Sequence, residues 1–205
     1  MLLNVKNAQY KKLNFSTQTQ LSAKLKNLSV EEFSTYLFGE VLLGAIGFGG
    51  YLEKRSIYEQ SLLFYSDEFE QYRNIHLGID IWAVEGTEVV SPIDATVHSF
   101  GYNNGHLDYG CTIILQAVED PKQYLLFGHL SKQSLEHIKG KTQIAKGELI
   151  GWLGNHHENG GWPSHLHFQL INNLGSYSDD YPGIACEAEL EFYKTNCPDP
   201  TNLIF

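Results

Sequence analysis

Cysteine is scarce: Cys111, Cys186 and Cys197 are the only three in 205 residues, and no two form a C-x-x-C pair. An odd, sparse set suits ordinary reduced thiols in a reducing compartment better than a disulfide framework. Basic residues are outnumbered, 14 Lys and Arg against 24 Asp and Glu, for a formal charge of −10. That balance argues against a basic face for nucleic acid or anionic membrane. Long apolar runs are also missing. The most apolar stretch, Tyr36 to Tyr51, contains Glu40 and five glycines and falls short of the roughly 20 residues that span a bilayer. Lys6, Lys11 and Lys12 near the start are followed by no apolar segment of the secretory kind. A cytoplasmic location is the expectation. There is no repeat of solenoid period and no low-complexity tract. No H-E-x-x-H pattern occurs, so a helical glutamate base beside a metal is not indicated.

What is present is enough for a core. Hydrophobic residues make up 42% of the chain and aromatics 13%, which suits one substantial domain with an extension. Residues 14–50 read as helical, then loose. Leu21, Leu25 and Leu28 form one amphipathic stripe, and Phe33, Leu37 and Val41 form a second. Ser29 and Glu32 between them match a capping box. Gly44, Gly47, Gly49 and Gly50 are expected to end the helical part.

From about Leu62 the pattern changes to short strands punctuated by turns. Ile75–Trp82 reads as extended or turning, with Gly78 inside it. Gly86–Val97 reads as strand, turn, strand, and Cys111–Gln116 and Gln123–Phe127 as two further strands. A polar loop is expected from Phe100 to Gly110, and short strands around Lys139–Thr142 and Lys146–Gly151. A second loop, Asn155–Pro163, leads into Ser164–Phe168. Many short strands with frequent turns imply a mainly β, antiparallel domain. The expected organisation is a helical N-terminal extension over 1–60, a β domain over 61–175 and an irregular C-terminal wrap over 176–205.

The chemistry lies in three short segments. His165 and His167 are one residue apart in an apolar run, so in a strand they point to the same side. His76-Leu77-Gly78-Ile79-Asp80 lies upstream, and Gly128-His129-Leu130 lies between. Catalytic zinc commonly takes three ligands from His and carboxylate and leaves one position open. His76, Asp80 and one histidine of the His165/His167 pair supply that set. The other histidine and His129 remain as unligated imidazoles. Such an inventory suits metal-assisted hydrolysis, in which a neutral histidine takes a proton and another bonds the developing oxyanion.

The segments His76-x-x-x-Asp80, Gly128-His129-Leu130-Ser131 and His165-Leu166-His167-Phe168, with Gly86-Thr87, Ser91-Pro92 and Gly147-Glu148 between them, resemble the lysostaphin-type zinc metalloendopeptidases. The resemblance runs from about Arg73 to Asn172. It implies a compact antiparallel β-sheet with a groove and hydrolysis of peptide bonds, as in peptidoglycan. It implies Zn²⁺ held by His76, Asp80 and His167, with His129 and His165 as the catalytic pair. Leu107–Gly110, Glu158–Pro163 and Cys197–Pro200 resemble one branch more closely. There the domain is fused between a phosphotransferase domain and a class-III aminotransferase domain.

Asn103, Asn104, Tyr109 and Trp162 are the expected groove-lining residues for a peptide or peptidoglycan-fragment substrate, Trp162 being equally readable as core packing. His156 and His157 are expected at the loop rim, and His98, His106 and His137 as structural or surface residues. The competing reading is a non-hydrolytic zinc-binding domain that binds a peptide, a metabolite or a partner enzyme.

Overall fold

The computed structural model describes residues 2–204. Its elements run in order β1 (Tyr10–Lys12), α1 (Gln20–Asn27), α2 (Val30–Tyr36), β2 (Ile46–Gly49), β3 (Tyr65–Ser66), β4 (Gln71–Tyr72), β5 (Ile75–His76), β6 (Ile79–Trp82) and β7 (Glu88–Val90). They continue with β8 (Ala95–Asn103), β9 (Gly110–Ala117), β10 (Tyr124–Leu130), α3 (Lys132–Ile138), β11 (Gln143–Ile144), β12 (Leu149–Trp152), β13 (His165–Ile171), β14 (Ile184–Ala185) and α4 (Leu190–Asn196). Among the described residues, no helix is long and apolar enough to cross a membrane.

The chain is mainly β, as its alternating pattern predicts. One eight-stranded sheet has the order β1-β2-β6-β13-β10-β9-β8-β11. Every neighbouring pair in it is antiparallel except β1 with β2. Strand β13 lies near the centre and alternates strictly. Leu166, Phe168 and Leu170 join the main core with Ile79, Ile81, Phe127 and Ile113. His165, His167 and Gln169 take the opposite face. Burial of each large core side chain contributes roughly 1.5–3 kcal/mol. The face carrying the histidines is covered further along by a second cluster, in which Leu77, Ile114, Leu126 and Ile171 pack with Tyr181, Ala185 and Cys197.

Two regions differ from the sequence reading. The expected helical extension does hold α1 and α2, and α2 begins with both bonds of the Ser29/Glu32 capping box. A π-helical turn, Leu37–Leu42, follows. Phe33, Leu37 and Leu42 then pack with Leu13, Phe15 and Trp82. Strands β1 and β2 frame these helices and extend the main sheet, so the stretch expected to be loose is partly sheet. Gly47 permits this, because a Cβ there would lie 2.6 Å from Leu13 Cδ1. The C-terminal stretch, expected as an irregular wrap, contains β14 and α4. Strand β14 pairs with β5, opposing Ile184 to His76, so this segment is bonded directly to the site.

Helix α3 was not expected. It follows Ser131 at the end of β10 and buries only Ser134 and Ile138, too short an apolar stripe to read from the sequence. Strand β8 also runs on to Asn103, beyond the expected start of the polar loop at Phe100.

Candidate metal centre

Sheet register brings the three sequence segments together. His167 on β13 opposes Asp80 on β6, and His165 opposes Trp82. Gly128 on β10 opposes His167 from the other side. His129 would face the core under simple alternation. Between Phe127 and Leu130, however, the β9–β10 register slips by one residue, and His129 adopts φ 62°. An extra residue in a strand re-aims the side chain beside it. His129 thus joins the site, and Leu130 returns to the core at 0% exposure. A left-handed histidine backbone is uncommon and strained, and such strain clusters at functional sites.

Ligand atoms of His76, Asp80 and His167 all lie within 4.8 Å of one another. His76 Nε2 and His167 Nδ1 are 2.8 Å apart. Asp80 Oδ1 is 3.2 Å from the first and 3.4 Å from the second. The hydrogen bonds behind each ring define its tautomer. His76 Nδ1 is 3.0 Å from the Gly50 carbonyl oxygen, which can only accept. His167 Nε2 is 2.9 Å from Gln169 Oε1. The Gln169 amide orientation follows from its own Nε2, which donates to the Pro182 carbonyl and to Cys197 Sγ. In the neutral rings, His76 Nε2 and His167 Nδ1 therefore carry lone pairs that face each other. Asp80 Oδ1 is buried and accepts no hydrogen bond among the described residues.

Two imidazole lone pairs and an orphaned carboxylate oxygen at this separation repel unless a cation lies among them. The N₂O donor set and the supporting bond behind each ligand fit zinc. Burial holds His76 down at about 4, against the opposing pull of Asp80, so the ring is neutral near pH 7. Burial pushes the Asp80 carboxyl up, but His76 and Arg55 outweigh it and hold the group well below the usual carboxylate range.

Two further imidazoles flank this trio. His165 donates from Nδ1 to the Pro163 carbonyl at 2.7 Å, and its ring stacks on Trp82 at 4.2 Å. His129 donates from Nδ1 to the Asn159 carbonyl at 2.8 Å. Each keeps Nε2 as a lone pair with no hydrogen bond among the described residues. Their ring centroids are 4.2 Å apart. Burial, the first cause for both, lowers His165 to about 4 and His129 well below its ordinary value.

Sequence reasoning missed several supporting groups. Arg55 Nη1 donates to Asp80 Oδ2 at 2.6 Å, and Arg55 Nε donates to Glu53 Oε2 at 2.6 Å. The pair is buried, with 5% and 1% of the Arg55 and Asp80 side chains exposed. Gly50 has φ 110°, and a Cβ there would strike the Arg55 guanidinium. Gln169 had a readable signal, since it continues the His165, His167 face by the same two-residue step. Asn159 holds the loop before β13 by bonding the Trp162 backbone through both its amide atoms. Arg55 and Asn159 sit in stretches with no periodicity to single them out.

A cleft of about 220 Å³ opens on the five residues, and Tyr109 and Trp162 are among the residues that line it. The Tyr109 hydroxyl lies 3.5 Å from His167 Nε2, and burial raises that phenol well above its ordinary range. Asn103 and Asn104 do not line the cleft. Asn103 turns back to donate to Thr112 Oγ1 on β9, and Asn104 faces solvent. His156 approaches Glu31 at 3.2 Å, away from the donor set. His137 bonds the Leu149 carbonyl, and His98 bonds Ser99. All three cysteines are free and buried.

The β-sheet thus gathers two histidines and an aspartate that could hold a metal ion, with two more imidazoles beside them. Residues 74–179 match the model of peptidase family M23. That match covers a little over half of the chain, and the chain belongs to this family. No curated protein matches it. Solved structures that resemble it include the NMR solution structure of lysostaphin, at 22% identity and TM-score 0.40 over 60% of this chain. The chain spans 44% of the length of that protein. The catalytic domain of the antimicrobial peptidase lysostaphin from Staphylococcus simulans matches at 20% identity and TM-score 0.40, over 59% of this chain and 80% of that one. A zinc-containing peptidase from Vibrio cholerae matches at 19% identity and TM-score 0.41, over 58% of this chain and 34% of that one.

Proposed function

We propose that this protein is a zinc-dependent hydrolase that cleaves a peptide or amide bond, with peptidoglycan-type peptide fragments among its candidate substrates. The observation that carries the reading is the convergence of His76 Nε2, His167 Nδ1 and the partnerless Asp80 Oδ1 beside two further neutral imidazoles. His76, Asp80 and His167 hold Zn²⁺. When bound there, zinc supplies Lewis acidity and lowers the pKa of water toward about 7.

The chain's own groups do the rest. His129 and His165 each present an unprotonated Nε2 that takes and returns the proton moved in hydrolysis. Once protonated, the same atoms donate to the developing oxyanion. Tyr109 stays a phenol across the physiological range and gives a further donor at the cleft. Trp82 fixes the His165 plane by stacking, and Trp162 shields the pair from water. Tyr109 and Trp162 are the substrate contacts in this reading.

Within the family, the chain belongs to the branch with phosphotransferase and class-III aminotransferase neighbours, and a partner enzyme of that kind is proposed. The three segments that carry this likeness converge on the site. Leu107 N–H bonds the Gly160 carbonyl, and Cys197 Sγ accepts from Gln169. A cytoplasmic location agrees with three free, buried thiols. The working unit in this reading is the β domain over 61–175 together with both flanking segments, since Arg55 and β14 reach the site.

Zinc content and peptide hydrolysis, measured together on the wild type and on His129→Ala, test the proposal. The variant is expected to keep about one zinc per chain and to lose roughly 10²–10⁴-fold in turnover. Full activity in the variant would falsify the assigned role.

A further inference from the structure

The five site residues are almost inaccessible. His129 is the most exposed of them at 6%, and His76, Asp80, His165 and His167 lie between 1% and 3%. The apolar wall beside them comes from five separate segments: Ile57, Tyr58 and Trp162 are buried together, and Leu25, Phe64, Leu107 and Ile184 pack against them. Ring contacts tie the wall across the cleft: Tyr58 meets Phe64 at 5.2 Å and Trp162 at 6.1 Å, both edge to face. The N-terminal stretch and the loop before β13 therefore form one continuous wall.

The cleft above the five residues, about 220 Å³, lies below the roughly 300–1,000 Å³ of pockets that take drug-sized ligands. Charged groups of both signs stand at its mouth. Arg73, Asp108 and Asp180 line the cleft and are each partly exposed. Arg73 Nε is 3.6 Å from Glu189 Oε2. Burial, and then Asp108 and Asp179, raise the Asp180 carboxyl. A polymer bound in mid-chain presents neither a free ammonium nor a free carboxylate to such a mouth. It also needs room to enter and leave on both sides of the scissile bond.

Resting on the hydrolase reading above, we propose that this chamber takes a short free peptide of two or three residues bearing an apolar side chain, and excludes the interior of a polymer. In the reaction, the oxygen of water joins the carbonyl carbon, the C–N bond breaks, and the amine leaves with the proton. The apolar side chain sits against Tyr58, Phe64 and Trp162. The two charged ends of the substrate stay at the mouth.

The full-length, zinc-loaded protein should be offered three classes of probe: free dipeptides and tripeptides containing leucine or phenylalanine, the same peptides blocked at both ends, and insoluble peptidoglycan. Product release is read by mass spectrometry. The expected result is cleavage of the free apolar peptides, with kcat/KM at least about ten-fold above the blocked forms, and no release from the polymer. Phe64→Ala is expected to lower kcat/KM for leucine peptides by about ten-fold with zinc content unchanged, and Arg73→Gln to narrow the gap between free and blocked peptides. Cleavage of peptidoglycan at a rate comparable to the dipeptides overturns the proposal. If no probe is cleaved, calorimetry with the same probes separates the two ideas. Binding of the free apolar peptides without turnover supports the chamber's selectivity and removes the hydrolase reading. Absence of binding removes the selectivity as well.

Discussion

Strands β6 and β13 present Asp80, His165 and His167 from regular, hydrogen-bonded backbone, β5 adds His76, and β10 adds His129 at its irregular end. The stretch from Gly50 to Phe64 supplies its share, the Gly50 carbonyl, Arg55 and Tyr58, from turns and short 3₁₀ helices. The first region offers lone pairs to the centre of the site. The second holds those lone pairs in place from behind and closes the space above them. The first depends on sheet register, where Asp80 meets His167 because β6 and β13 pair as they do. The second depends on a few side-chain bonds and on backbone bridges such as Arg55 N–H to the Asn74 carbonyl at 2.7 Å. Donor chemistry and its support thus come from parts of the chain built by different rules, and they should fail differently.

The largest effect is expected in the strands. His76→Ala and Asp80→Ala each remove one donor of three. Elemental analysis should show zinc falling from about one per chain to none, with hydrolysis lost. Zinc retained in both variants would place the metal elsewhere and dissolve the contrast between the regions.

Next comes the N-terminal wall. Arg55→Met leaves Glu53 and Asp80 buried without their shared cation. It is expected to destabilise the fold by roughly 3–5 kcal/mol and to weaken zinc by roughly 10–100-fold in a chelator competition. A variant that loses stability but binds zinc as tightly as the wild type would reduce Arg55 to a packing role.

The third expectation concerns acid. His76 and His165 sit at about 4 in the folded chain against an ordinary value of 6.5. Between those values the unfolded chain binds more protons, so stability rises with pH. Urea unfolding of the metal-free protein should therefore show a midpoint that falls as pH drops from 6.5 toward about 4. Asp80 acts in the same direction, but only below its unfolded value of about 3.9. A midpoint flat across this window would contradict the burial of neutral rings in the floor of the site.

The smallest effect belongs to the extension. Ser29→Ala removes the capping bond to Glu32 N–H at 3.2 Å and should reduce stability by about 1 kcal/mol. Zinc content should not change, which a parallel measurement would verify.

This division explains what the sequence made legible. His165 and His167 stand out because strand alternation puts them on one face, and the capping box at Ser29 is a local pattern that needs no partner elsewhere. Both are signals within a few residues. Arg55 acts on Asp80 across 25 positions of sequence, in a stretch without periodicity, and nothing near it marks the role. Gly47 and Gly49 read as breakers, yet they lie in β2, where close approach to Leu13 leaves no space for a side chain. Asn103 and Asn104 looked suited to a groove by residue type. Strand β8 runs on to Asn103, however, and Thr112 on β9 captures its side chain. Helix α4 buries Asn196 alone among its residues, so it offered no apolar stripe to find.

His129 at φ 62° bears on how this chain can drift. A glycine or asparagine would occupy that left-handed position with less strain. As long as its imidazole is needed, selection holds a residue that the backbone itself disfavours. In any descendant that ceased to use the site, substitution at position 129 would relieve strain, whereas replacing Asp80 would take from the buried Arg55 cation one of its two carboxylate partners. His129 is therefore the expected first loss in such a lineage, and Asp80 the part that lingers after the chemistry is gone.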